Sequence, residues 1–488
     1  MTSLPILQLV VFLVIALSAM IVKNARLTQW LLLLGLLASV GMGLTLMQAQ
    51  ETLPFVVAFG GHSNLLGIEL LVDEFSVLFT LFLGSLGTVI QAYAMGFFKT
   101  LQAPLQPGPY SGLMALLFFA MFGVIYTNDL FNTYVLIEVL SLATVALISI
   151  VRKRRNFMAA FRYLMLSEMA SLSILMGIAL IYMVTGQLNM TLIYQAMPEA
   201  YAAYPINITL ALGFMGIGLA IKTAIFPFHE WLPDAYTSAP APSSALLSAL
   251  VSKAYMLVLI KVIFRVFGEA TIESLGAPFV MTFFAAVAMI VGSLFALGQK
   301  EFKRMLAYSS VAQVGYLLLA LSLLSRVGLE AMFFYMVSHA LIKGTLFMVA
   351  GSFSAYGFKR RIEGLSGVAS VVPFTALVFS LSAFAMVGIP GTSGFVAKFN
   401  MAQALTVSAR SGFIALIIIS SVLNALYFFP VVIKTLIPSA DTPQQTVNQV
   451  PRFMTLALSI LALSILTLGI APGLILPYIE AAVTAIGF

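Results

Sequence analysis

Eight ionisable side chains stand inside or beside long apolar stretches of this sequence: Glu138, Glu168, Lys222, Lys253, Lys261, His339, Lys343 and Lys398. A charge at the centre of a hydrocarbon layer costs from about 3 to over 10 kcal/mol, depending on how it is measured. Groups kept there at that cost either pair statically or handle protons. The proton affinity of a buried amine or carboxylate is a contest between desolvation and pairing. Moving the partner therefore releases or retains the proton, which makes a switch. Lys222 and Glu138 are the first candidate pair, and Lys253, His339, Lys343 and Lys398 extend it into a relay. His339 is of the residue type that titrates near neutrality. Lys343 follows it by four residues and shares its helix face. Hydroxyls and amides such as Ser248, Ser252, Ser309, Ser310 and Ser338 can hold connecting waters. The static alternative is an ion pair that fixes packing, or side chains that reach a nearer interface.

Glu168 and three further residues are secondary candidates. Glu168 lies toward one end of its stretch and could be solvated. His229 and Asp234 fall in a helix interruption, where they could cap a loop. Gln313 could carry protons through water or be a satisfied amide. Lys261 and Arg265 read as membrane-interface anchors. His62, in a polar Gly-rich loop, carries no functional reading.

Composition says what must hold these groups. Of 488 residues, 61% are hydrophobic and 8% charged. A soluble domain carries about a quarter charged residues, so this chain cannot cover a water-facing surface. Soluble enzyme, nucleic-acid binder and disordered protein are excluded as whole-chain readings, and a polytopic membrane protein remains. Cysteine is absent and the three histidines are scattered, so thiolate metal sites and iron–sulfur ligands are excluded. GIPGTSGF (388–395) lacks the GK[ST] ending of a phosphate loop. No cofactor and no metal are expected. The net charge of +7 reads topology rather than nucleic-acid binding.

About fourteen apolar stretches are long enough to be helical spans of roughly 20 residues, centred near 12, 38, 86, 117, 139, 173, 215, 254, 286, 314, 341, 380, 422 and 464. The expected fold is all-α and polytopic. Basic residues from Lys23 and Arg26 to Lys434 and Arg452 cluster in or beside connections 1–2, 3–4, 5–6, 9–10, 11–12 and 13–14, all on one face. The opposite face has Arg265, Arg326 and Arg410. The positive-inside rule makes the first face cytoplasmic and puts both termini outside. Spans 7 and 12 are interrupted, by Pro227 and Pro233 and by Gly388, Pro390 and Gly391. Matching breaks point to internal repeats around a midplane path. They are five spans apart, an odd number, so the repeats are inverted. The expected organisation is residues 1–100 (spans 1–3), 101–268 (first repeat, spans 4–8), 269–436 (second repeat, spans 9–13) and 437–488 (span 14). The register is imperfect: Lys222 precedes Pro227 by five residues, whereas Lys398 follows Pro390 by eight.

FPFHEWLPDAYTSAPAPSSALLSALVSKAY (226–255) resembles the signature of the antiporter-like proton-translocating family. That family includes the large membrane subunits of complex I, their counterparts in membrane-bound hydrogenases and the Mrp-type sodium/proton antiporter subunits. NDLFNTYVLIEVLSLA (128–143), KRMLAYSSVAQVGYLLLAL (303–321), SHALIKGTLFMVAG (338–351) and GIPGTSGFVAKF (388–399) resemble further family segments. The resemblance implies a fourteen-helix fold with inverted repeats. It implies that Glu138, Lys222, Lys253, His339, Lys343 and Lys398 match the family's midplane polar axis. Gln313 stands where some complex I relatives carry histidine. Lys398 stands where other members have glutamate, and lysine there is the variant associated with the D-type Mrp and N-type complex I subunits.

The expected function is a proton-translocating subunit of a multisubunit cation/proton antiporter or hydrogenase-linked pump. An N-type complex I subunit is the alternative, and a stand-alone proton-coupled solute carrier a further one. Expected partners are other membrane subunits, protons and, through the complex, Na⁺, with the lipid bilayer as surroundings and no nucleic acid. The expected location is a bacterial or archaeal cell membrane. No covalent chemistry is expected of the chain alone.

Overall fold

The computed structural model describes residues 3–22, 24–58, 67–100, 107–438 and 451–487; Lys23 and His62 lie outside the described residues. Among the described residues, 13 helices are long and apolar enough to cross a membrane. They are span 1 (Leu4–Ile21), 2 (Ala25–Gln48), 3 (Glu74–Phe97), 4 (Gly108–Tyr126), 5 (Leu130–Ser149), 6 (Arg154–Thr185), 7 (Pro205–Thr223), 8 (Ala241–Phe267), 9 (Ala277–Leu297), 10 (Phe302–Leu321), 11 (Arg326–Ala355), 13 (Ser411–Leu436) and 14 (Arg452–Ile470). The twelfth is split into Pro373–Val387 and Ser393–Val407, each half too short to cross alone. Its two halves complete the fourteen expected from hydropathy. Within spans 4–8 and again within spans 9–13, the fourth member is the broken one.

The boundaries follow local chemistry. Asp73 caps span 3 by accepting from the Ser76 amide, with Ser76 Oγ returning to the Asp73 amide. Asp129 caps span 5 through the Asn132 amide. Span 6 ends where Gly186 turns left-handed at φ 66°. Span 7 ends at Ala224, followed by a turn through Pro227 and a short second half, Trp231–Ser238. Pro233 is therefore not part of the break. It occupies the first turn of the second half, where proline is tolerated. In span 12 the first half ends at Gly388 (φ 94°), and Pro390 and Gly391 (φ 84°) lie in the linker.

Burial sorts the spans into layers. Spans 8 and 11 are 94% buried over their apolar windows, against 39% for spans 1, 2, 6, 9 and 13. Spans 8, 10 and 11 form the interior, and the others screen them from lipid. Span 6 and span 7 lie close because Gly218 packs onto Ala170 and Ile174, where a Cβ would collide with backbone. On the face away from the basic loops lie a two-stranded hairpin, β1 (Phe55–Ala58) with β2 (Glu69–Val72), a short helix Met190–Ala203, and the C-terminal helix Leu476–Thr484.

Candidate functional site: a buried polar axis

Lys222 sits in the last turn of the first half of span 7, and its ammonium is buried. It donates to Ser141 Oγ of span 5 (2.7 Å) and Ser167 Oγ of span 6 (2.6 Å). Glu138 Oε1 stands 3.8 Å away, one turn before Ser141. That separation is a loose ion pair rather than a hydrogen bond. The Glu138 side chain keeps 19% of its surface exposed, while the lysine keeps none. The Glu138 side chain thus reaches the edge of the molecule, while its Oε1, which faces the buried amine, is itself buried and accepts no hydrogen bond. Tyr255 of span 8 hydrogen-bonds Ser141 (3.0 Å) and approaches Tyr163 (3.3 Å), continuing the polar contacts inward. Ser167, preceding Glu168, fixes the depth of Glu168. Span 6 runs from Arg154 to Thr185, so Glu168 is near its centre and at the level of Lys222. The sequence-based expectation that it lay toward a helix end is corrected, because the span extends farther on the basic side than hydropathy alone marked.

Lys253 follows on span 8. A π-helical turn at Leu247–Val251 precedes it, a feature often found at functional sites. Its ammonium donates to the Ser248 carbonyl (2.6 Å) and to Ser252 Oγ (3.3 Å). Ser248 Oγ meets Ser310 Oγ of span 10 at 3.3 Å. The neighbouring Ser309 accepts from Lys343 of span 11, which also donates to the Leu306 carbonyl (2.9 Å). Spans 8, 10 and 11 are thereby joined by lysines and serines.

His339 is buried one turn before Lys343, and neither of its ring nitrogens has a hydrogen-bond partner in the protein. It lines a cavity of about 10 Å³ with Gln313, Tyr335, Ser338 and Lys398, about the room one water needs. Tyr335 donates to Gln313 Oε1, which leaves the amide Nε2 unpartnered. Ser338 Oγ donates to Ser393 Oγ of span 12 (2.9 Å).

Lys398 resolves the imperfect register of the two breaks. It grows from the second half of span 12, but its ammonium reaches back to the Met386 and Val387 carbonyls (3.0 and 2.9 Å) that end the first half. Ser421 Oγ accepts at 2.9 Å, and the Tyr316 ring lies 5.4 Å away. Both Lys222 and Lys398 therefore place positive charge at the carboxyl end of a half-helix, where the helix dipole is negative. Among the described residues, Lys253, Lys343 and Lys398 form no ion pair. Their protons are held by hydroxyls and carbonyls rather than by countercharges.

Other candidates are placed elsewhere. Asp234 lies in the second half of span 7 and is gripped by Arg162 (2.6 Å) and Arg304 (2.7 Å). With the Arg155–Glu301 pair (2.8 Å) it forms a clasp on the basic face joining spans 6, 7 and 10. Arg155, with help from Arg360 and Arg304, holds the Glu301 carboxyl below the usual carboxylate range. His229 lies in the span 7 break, stacked between Phe226 and Phe295, with Nδ1 unpartnered. It touches none of the axis lysines. Lys261 is not an interface anchor. It is buried, and its ammonium bonds the carbonyls of Val124 (2.9 Å), Ile125 (2.6 Å) and Thr127 (2.7 Å), capping the end of span 4. Arg265, one turn on, pairs with Asp73.

Sequence reasoning missed Ser141, Ser167, Tyr255, Tyr335 and Ser421. Their signal was spacing: Ser141 follows Glu138 by three, Ser167 adjoins Glu168, and Tyr335 precedes His339 by four.

Comparison with known proteins finds relatives of the chain as a whole. The profile of a family described as "NADH:quinone oxidoreductase/Mrp antiporter, TM" matches residues 127–425. An NADH-quinone oxidoreductase subunit N of Desulforudis audaxviator is 34% identical over 440 residues, covering 88% of this chain and 85% of that protein. A chain in the structure of the membrane-bound sulfane sulfur reductase, an archaeal respiratory membrane complex, superposes with TM-score 0.87 at 27% identity. The match covers 99% of this chain and 96% of that one. A chain of the Mrp complex from Dietzia sp. DQ12-45-1b superposes with TM-score 0.88 over 99% and 97% of the two chains. At 24% identity that likeness speaks to the fold alone.

Proposed function

The chain belongs to the NADH:quinone oxidoreductase/Mrp antiporter membrane family, and we propose that it translocates protons as one subunit of a multisubunit cation/proton antiporter or hydrogenase-linked pump. The single observation that carries this reading is the run of buried amines and hydroxyls from Lys222 through Lys253 and Lys343 to Lys398, interrupted by His339 with its free ring nitrogens. Protons enter from the basic face near the span 7 and 8 region, pass Lys222 and Lys253, cross by Lys343 and His339 to Lys398, and leave on the opposite face. Glu138, at the molecular edge, modulates Lys222 and takes its signal from a neighbouring subunit. The basic face is cytoplasmic by the positive-inside rule, which puts both termini outside. The repeats are residues 101–268 and 269–436, flanked by 1–100 and 437–488. Their odd spacing makes them inverted, so the two lysine-bearing half-helix ends form paired sites near the midplane.

The N-type complex I reading is favoured by the 34% identity to a subunit N. The subunits that purify with the chain decide between the two. Small antiporter-type membrane proteins support the first, and quinone-oxidoreductase partners the second. The proton role is tested by ion flux in everted vesicles carrying Lys222→Ala, Lys398→Ala or Glu138→Gln, with assembly checked on native gels. A loss of at least about tenfold in assembled lysine variants is expected. A Glu138→Gln variant retaining full flux removes its modulating role, and lysine variants retaining full flux leave an inert scaffold.

A further inference from the structure

A large cavity lies outside the polar axis. It encloses about 630 Å³ between spans 2, 3, 11 and 14 and is lined almost wholly by apolar side chains. Two close approaches by span 14 give it its shape. At the basic face Gly96 of span 3 lies against Met454, where a Cβ would come within 2.7 Å of that side chain. Toward the other face, Gly469 lies on the backbone of Gly391 and Thr392 in the span 12 break, again with no room for a Cβ. Span 14 is thus pinned to span 3 at one end and drawn away toward span 12 at the other. The wedge left between them extends toward the face away from the basic loops, where Ile475, Tyr478 and Ala481 of the C-terminal segment also line it. Its lining on span 3 runs from Glu74 to Val89, about 22 Å of helix. That matches one leaflet, half of a bilayer roughly 40–45 Å thick including headgroups. A partner's transmembrane helix needs a groove through both leaflets, and the Gly96–Met454 contact shuts this one in the second. Ser85, near the inner end, is exposed to the cavity. The one charged lining residue is Glu74, at the headgroup level, and it forms no ion pair among the described residues.

We propose that this wedge binds a phospholipid of the leaflet opposite the basic loops, with its acyl chain between spans 3 and 14 and a primary-ammonium headgroup on Glu74. Burying hydrocarbon there supplies the affinity, and the carboxylate selects a headgroup that presents a positive charge over an anionic one. Val337 and Leu341 of span 11 line the floor, two residues either side of His339. The lipid chain therefore seals the back of the span that carries the axis.

The test is native mass spectrometry of the intact complex, delipidated and then titrated with phosphatidylethanolamine or phosphatidylglycerol. One retained phosphatidylethanolamine per chain is expected, preferred about two- to fivefold, the range of an exposed charge pair. Ser85→Trp fills the cavity from an already exposed position and is expected to remove that lipid, while Glu74→Lys is expected to turn the preference to phosphatidylglycerol. If Ser85→Trp fails to assemble, Glu74→Lys alone still reads the headgroup. Equal binding of the two lipids, an unchanged lipid count in an assembled Ser85→Trp complex, or a photo-cross-linker at Leu463 that captures a protein helix instead of a lipid would each overturn the proposal.

Discussion

Lys222 depends on two serine hydroxyls for its hydrogen bonds, since its carboxylate partner stands 3.8 Å off. A hydrogen bond to a charged group contributes roughly 1.5–3 kcal/mol. Ser167→Ala is therefore expected to destabilise the chain by about that much while keeping the Glu138 pair, which a thermal-shift measurement in detergent checks. Lys261 makes the converse case. Its three carbonyl acceptors belong to the end of span 4, so Lys261→Met leaves buried carbonyls unsatisfied at about 1–3 kcal/mol each. Its expected signature is a lowered melting temperature with flux per assembled complex unchanged. A normal melting temperature with lost flux would move Lys261 into the axis. The sequence made the amines and carboxylates of this scale plain, because a charge in an apolar stretch has few explanations. Ser252 and Ser309, which accept from Lys253 and Lys343, were among the hydroxyls the sequence offered, whereas Ser141, Ser167 and Ser421 were hidden, because serine is ordinary in membrane helices. Lys261 was misread because nothing in its own span says that another helix ends beside it.

At the scale of elements, the breaks in spans 7 and 12 and the boundaries of most spans were legible in hydropathy, proline and glycine. The reach of Lys398 back across its break was not, since it depends on a side chain folding over a linker that sequence spacing counts as distance. The π-helical turn before Lys253 leaves no mark in composition. Gly469 ties span 14 to the span 12 break, and Gly469→Val is expected to force them apart. Loss of assembly on native gels, with span 14 turning sensitive to protease, is the expected result. The clasp on the basic face carries a pH dependence. Arg155 holds the Glu301 carboxyl below its ordinary value of about 4.3. A depressed carboxylate pKa contributes stability above the unfolded value and loses it as pH falls through the folded one. The pair is partly exposed, so its worth is at most about 1 kcal/mol. Acidification from pH 5 to pH 3 should lower the melting temperature less in Glu301→Gln than in the unsubstituted chain.

At the scale of the molecule, spans 8, 10 and 11 form a buried interior in which lysines meet serines, while most of the flanking spans are more exposed. Fourteen spans and their parity could be counted from the sequence, and the axis residues fell on the spans expected of them. What the chain could not reveal was which spans are central, because interior and lipid-facing helices are both apolar. Lys253 is linked from span 8 to span 10 through Ser248 and Ser310. Replacing it with methionine keeps the volume and removes the ionisable amine. Proton flux in everted vesicles carrying Lys253→Met, in complexes shown intact on native gels, is the most direct measurement. A loss of at least about tenfold is expected if protons pass from one half to the other along the axis; undiminished flux from an intact complex would contradict it.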